Sequence, residues 1–186
     1  MKEKVENFEL RDWQNDCIEK ALKWYKSQKI YRQFVMNVAP ASGKTKAACV
    51  ITSDLYQNSL IDRTIVIAPL SGVVLQWSTD YKNIVKRHME KISSIEDISY
   101  TSLNTDICAT WSALANIQDN IDEICKQQRT FVICDEHHHA AVEAAWGESA
   151  NSAFKNAKYC LILTGTPFRT DGKDCTWFSK EATNDN

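Results

Sequence analysis

At 186 residues, with 44% hydrophobic and 25% charged side chains, the chain is long enough for one well-cored domain and too short for two large ones. A formal charge of -2 excludes a generally basic surface, so contact with a polyanion has to come from local patches or backbone amides. Seven cysteines without a Cys-x-x-Cys pair, several within apolar runs, read as small buried hydrophobes in a reducing compartment. The charged N-terminus carries no secretory pattern and no apolar run reaches membrane-spanning length, so a cytoplasmic protein without a membrane partner is expected.

In residues 11–28, Trp13, Cys17, Ile18, Ala21, Leu22 and Tyr25 recur at helical spacing. Residues 34–39 read as a buried strand, 40–43 as a turn and 44–57 as a helix. The pattern then repeats, with a strand over 64–68, a turn over 69–72 and a helix over 73–88 bearing Val74, Leu75, Trp77, Tyr81, Ile84 and Val85. Shorter strands are expected at 97–100 and 106–110, helical material at 111–126, a strand at 130–134, a helix at 140–154 and a strand at 159–163. Short apolar runs alternating with helices imply crossover units, hence an α/β fold with a mostly parallel central sheet covered by helices on both faces. Residues 173–186 are polar and patternless, a linker or frayed end that leaves residues 1–172 as the domain.

Ala39 to Thr45 ends in Gly-Lys-Thr directly after a strand and opens a helix. That context is the one a phosphate-binding loop (P-loop) requires, in which the first amides of the helix and its positive dipole end suit an anion. Lys44 supplies an ammonium for the outer phosphates, Thr45 a hydroxyl for a magnesium ion, and Gly43 a close backbone approach, with Ala41 and Ser42 completing the loop. The first glycine of the full spacing falls on Val38 and that of a shorter form on Ala41, so Ala41 restricts the loop if its φ angle has to be positive. The plainer alternative is a lysine at an ordinary helix start.

Asp135 and Glu136 close the strand at 130–134, where ligands gather at the carboxyl edge of an open α/β sheet. Adjacent carboxylates fit a division of labour: Asp135 holds magnesium and Glu136 orients and deprotonates an attacking water. His137, His138 and His139 follow. Consecutive residues cannot all turn to one metal and no cysteine offers ligand spacing, so zinc is not expected; His138 instead links the phosphate site to its surroundings by hydrogen bonds.

With these segments placed, the chain resembles the first RecA-like domain of superfamily-2 helicases and translocases over residues 8–172. The DExH-type branch that includes the motor subunits of type I and type III restriction enzymes is most similar. Leu10 to Gln14 resembles that branch's adenine-recognising motif, Ile67 to Leu70 its motif Ia, Asp135 to His138 its motif II, and Leu163 to Arg169 its motif III. The resemblance implies ATP and magnesium as cofactors, with Gln14 reading adenine beside Arg11. Pro69, Leu70, Ser71, Gly72 and Thr110 would contact the nucleic-acid backbone, and Thr164 and Thr166 would couple that face to the phosphate site. DNA is the expected nucleic acid because the similar branches act on DNA.

The resemblance also implies a second RecA-like domain, which supplies arginines across the cleft and which nothing after Arg169 is expected to encode. ATP hydrolysis would then depend on that partner. A one-lobe module that binds nucleotide, nucleic acid or protein without turnover is the alternative, and another P-loop enzyme a third. Lys82, Lys86, Arg87, His88 and Lys91 form a basic stretch read as a solvated helix face. Trp77 and Trp111 are read as core side chains, with base stacking the alternative.

Overall fold

The computed structural model describes residues 9–27, 32–39, 41–93, 105–136 and 150–165. In chain order it contains α1 (Asp12–Lys26), β1 (Gln33–Asn37), α2 (Lys44–Gln57), β2 (Arg63–Ala68) and α3 (Ser71–Ile84). These are followed by β3 (Met89–Ile92), β4 (Asp106–Thr110), α4 (Trp111–Gln127), β5 (Thr130–Asp135) and β6 (Tyr159–Thr164). Residues 150–154 are also helical. The strands form one sheet in the order β1-β6-β5-β2-β4-β3, with every pair parallel. All carboxyl ends therefore open on one edge, which is where an open α/β sheet binds ligands.

Successive strand residues face opposite sides, and the core divides accordingly. Phe131 and Ile133 of β5, Val66 and Ala68 of β2, and Leu161 and Leu163 of β6 pack with Ala47, Ile51 and Leu55 of α2 and with Val74 and Trp77 of α3. Their neighbours Val132, Cys134, Ile65, Ile67 and Ile162 pack on the other face with Trp111, Leu114, Ile117 and Ile121 of α4 and with Ala150 and Phe154. Every residue of β2 and β5 is buried, as strands in the middle of a doubly covered parallel sheet must be. Among the described residues no helix is long and apolar enough to cross a membrane. Cys49, Cys108, Cys125, Cys134 and Cys160 are buried free thiols and Cys17 is half-buried; burial pushes the thiol of Cys125 up to about 11.

At the amino-terminal edge of the strands, buried Asp106 gathers four donors. Its carboxylate accepts from Thr64 N at 2.9 Å, Tyr56 OH at 2.8 Å, Tyr81 OH at 2.9 Å and Arg87 Nε at 2.7 Å. This corrects the basic stretch. Helix α3 ends at Ile84 and Lys86 takes a left-handed φ of 63°, so only Lys82 of the five residues lies on a helix. Arg87 pairs with Asp106 and lies over the Tyr56 ring, His88 pairs with Glu90, and Lys91 belongs to β3. The expected strand at 97–100 and the tail at 173–186 lie outside the described residues, while 111–127 is a single helix.

Candidate active site

The loop between β1 and α2 depends on two left-handed residues. Ala41 has φ 57° and Gly43 φ 99°, so the position at which a helicase-type loop carries glycine does require a positive φ, and alanine bears the strain. Gly43 is also held to glycine by space: a Cβ there would lie 2.8 Å from Gln14 Nε2. Gln14 is only 3% exposed, which rules out a solvated helix glutamine. Its Nε2 donates to Gly43 O at 2.9 Å, its Oε1 accepts from Arg11 N at 2.8 Å, and Arg11 NH1 donates to Ser42 O at 3.3 Å. The start of α1 is thereby fastened to the loop that opens α2. An amide has one more donor hydrogen and one more acceptor lone pair than these contacts use.

The first turn of α2 meets the end of β5. Lys44 is 7% exposed and its Nζ donates to Glu136 Oε1 in an ion pair across the cleft. Asp135 is 6% exposed, and burial holds its carboxyl above the usual carboxylate range; the Trp77 hydrogen bond and Lys44 act in the opposite direction. Strand alternation alone would send Asp135 and Glu136 to opposite faces. The left-handed φ of 48° at Glu136 turns the chain at that point, and both acids line one cleft. Its volume is roughly 360 Å³, within the range of small-molecule sites. Ala41, Gly43, Lys44, Thr45, Pro69 and Val73 line it as well. The hydroxyl of Thr45 and the carboxylate of Asp135 are hard oxygen donors of the kind magnesium takes, so the lining fits that ion.

Pro69 borders the cleft, and Leu70, Ser71 and Gly72 form the exposed beginning of α3, which no side chain caps. Around Gly72 an added Cβ would meet nothing within 4 Å. Thr110 differs from its expected role: it is 3% exposed and its hydroxyl accepts from Ala113 N at 3.1 Å, capping α4. Its side chain belongs to the scaffold rather than to the surface. Thr164 is buried at the end of β6, directly opposite Asn37 of β1, and its carbonyl accepts from Val38 N at 3.0 Å. His138, Thr166 and Arg169 lie outside the described residues.

Two side chains had no place in the site read from sequence. Trp77 Nε1 donates to Asp135 Oδ2 at 2.8 Å, and Trp111 Nε1 donates to Asp135 O at 3.1 Å. Both tryptophans are fully buried, so they are core side chains and do not stack on bases. Gln76 and Asp80 of α3 also face the cleft, and burial holds the Asp80 carboxyl above its ordinary range. For Trp77 the sequence signal was its place on the apolar face of an amphipathic helix, and for Trp111 its place in a helical segment; both give burial but not partners.

Comparison with known proteins places this geometry. The family described as "Type III restriction enzyme, res subunit" matches residues 7–169. The uncharacterized protein ML1624 of Mycobacterium leprae is 29% identical over 164 residues, covering 88% of this chain and 26% of that protein. Among solved structures, a nuclease-deletion mutant of the Type ISP restriction-modification enzyme LlaGI, in complex with a DNA substrate mimic, superposes with a TM-score of 0.70 at 17% identity. That match covers 94% of this chain and 19% of the enzyme. The SWI2/SNF2 ATPase core of Sulfolobus solfataricus in complex with dsDNA gives 0.67 at 19% identity, covering 86% and 32%. The chain thus spans about a quarter of the curated relatives it matches, and its sheet and helices have the RecA-like fold of these solved structures.

Proposed function

Because the chain belongs to the family of the type III restriction enzyme res subunit, we propose that it is the ATP-binding first motor domain of an ATP-dependent DNA helicase or translocase. The observation that carries this reading is the convergence of Lys44, Thr45, Asp135 and Glu136, from the start of α2 and the end of β5, on one cleft. Phosphate oxygens entering the loop take over the Lys44 ammonium, which releases Glu136 from its ion pair. The freed carboxylate, held at the strand end, is then placed to orient a water and accept its proton. Thr45 and Asp135 would hold magnesium, which supplies positive charge to the phosphates when bound. Gln14, already fastened to the loop through Gly43, reads adenine with its remaining donor and acceptor beside Arg11.

DNA is the proposed nucleic acid because the neighbours above are complexes with DNA, and the open start of α3 at Leu70 to Gly72 is the proposed contact. A second RecA-like lobe supplies the transition-state arginines. The relatives extend well beyond the part this chain covers, which leaves room for such a lobe in them.

The test is equilibrium binding of a fluorescent ATP analogue to wild type, Lys44→Ala and Glu136→Gln, with turnover measured with and without single- and double-stranded DNA. Loss of the charged hydrogen bonds of Lys44 should weaken binding by roughly 10- to 100-fold. Glu136→Gln should retain binding and lose turnover. If both variants match wild type in binding and turnover, the reading is wrong. Binding that depends on Lys44, together with turnover that no second lobe restores, would support the one-lobe binding module instead.

A further inference from the structure

We propose that Trp77 and Trp111 are positioning residues of the phosphate site, gripping Asp135 from the two faces of the sheet so that its carboxylate keeps one orientation toward the cation side of the cleft. Trp77 belongs to the core beneath α2 and α3, and Trp111, the first residue of α4, to the core on the opposite face. One indole takes the carboxylate at 2.8 Å and the other the main-chain carbonyl of the same residue at 3.1 Å. An indole has a single polar atom, a donor. A buried tryptophan usually finds that donor some partner, but here two of them, 24 and 58 residues away in sequence, find the same residue.

Trp77 takes one of the roughly four acceptor positions of the carboxylate and the Glu136 backbone N–H another, which fixes the rotamer of a side chain that lines the cleft. Trp111 fixes the strand end one residue before Glu136, where the backbone makes its left-handed turn. Phenylalanine at either position keeps an aromatic ring in the core and removes the indole N–H. Losing a group that orients a metal ligand typically costs about 10- to 100-fold in metal affinity.

The inference rests on the cleft being a magnesium-nucleotide site, and the experiment separates the two. Magnesium is titrated into the full chain with a fluorescent ATP analogue, and affinity is compared with that in excess EDTA. In wild type, magnesium should tighten binding, and Asp135→Asn should abolish that gain. Trp77→Phe should raise the magnesium concentration needed for half the gain by about 10- to 100-fold while leaving the EDTA affinity unchanged. Trp111→Phe should shift it in the same direction. In the Asp135→Asn background, Trp77→Phe should add nothing to the magnesium dependence. Benzothienylalanine at position 77, which keeps the bicyclic shape and lacks the N–H, should reproduce the Trp77→Phe result and replaces that variant if it does not fold.

A wild-type magnesium dependence in the position-77 variants, an equal loss in EDTA, or an effect that persists without the Asp135 carboxylate would overturn the inference. If wild type binds nucleotide without any response to magnesium, the reading of the cleft itself fails and the inference falls with it.

Discussion

Ala41 carries a side chain at φ 57°, where a Cβ crowds the following carbonyl at a cost of about 1–2 kcal/mol. Glycine removes that cost but adds about 0.5–1 kcal/mol of unfolded-chain entropy, so Ala41→Gly should stabilise the protein modestly and raise its urea midpoint. Gly43→Ala should do the reverse, because its φ of 99° and the 2.8 Å approach to Gln14 Nε2 both oppose a methyl group. A loss of about 2 kcal/mol, accompanied by weaker nucleotide binding, is expected in the same measurements. Asp62 gives a pH signature away from the site. Arg129 grips it with Nε at 2.8 Å, NH2 at 2.6 Å and its backbone N at 3.0 Å, holding the carboxyl down at about 2. A depressed folded-state pKa means the contribution is complete above the ordinary carboxylate range and is lost as pH falls through about 2. Urea unfolding of Asp62→Asn should therefore show a deficit at neutral pH that closes in strong acid. Because the pair is exposed, the deficit should be small and should shrink in high salt.

Elements are joined at the edge opposite the cleft by Asp106, which receives donors from α2, β2, α3 and the turn after α3. Asp106→Ala leaves the Thr64 N–H and the Tyr81 hydroxyl buried without their acceptor, so a loss of about 2–4 kcal/mol in denaturant unfolding is expected. This network also marks where sequence reading ends. The phosphate loop and the acid pair were legible because each is a local pattern, a strand running into Gly-Lys-Thr or into Asp-Glu. Arg87 was read as a helix-face cation because its partner lies 19 residues further on and meets it only once β4 lies beside β2. Strand β3 was missed because Met89–Ile92 is four residues long with charges at its centre, too short for alternation to stand out from the helix before it. The indole contacts to Asp135 and the turn at Glu136 were invisible for the same reason: both are properties of assembled elements.

At the scale of the whole molecule, the cleft is walled by one lobe and faces the open edge of a parallel sheet. Joined to a second RecA-like lobe bearing transition-state arginines, the chain should hydrolyse ATP about 10³- to 10⁵-fold faster than alone. A steady-state phosphate-release assay on the isolated and joined forms checks this. The order of the strands has one further consequence. Strand β1, which leads into the phosphate loop, hydrogen-bonds to no described strand except β6, the last of the described strands. During synthesis the loop's supporting strand emerges well before its neighbour and waits for it, since β6 must slide in between β1 and β5 from more than a hundred residues downstream. A nascent chain halted before Tyr159 already holds every residue that lines the cleft but leaves β1 without its described partner, so ligand capture on the ribosome should switch on abruptly once β6 has emerged rather than grow with length.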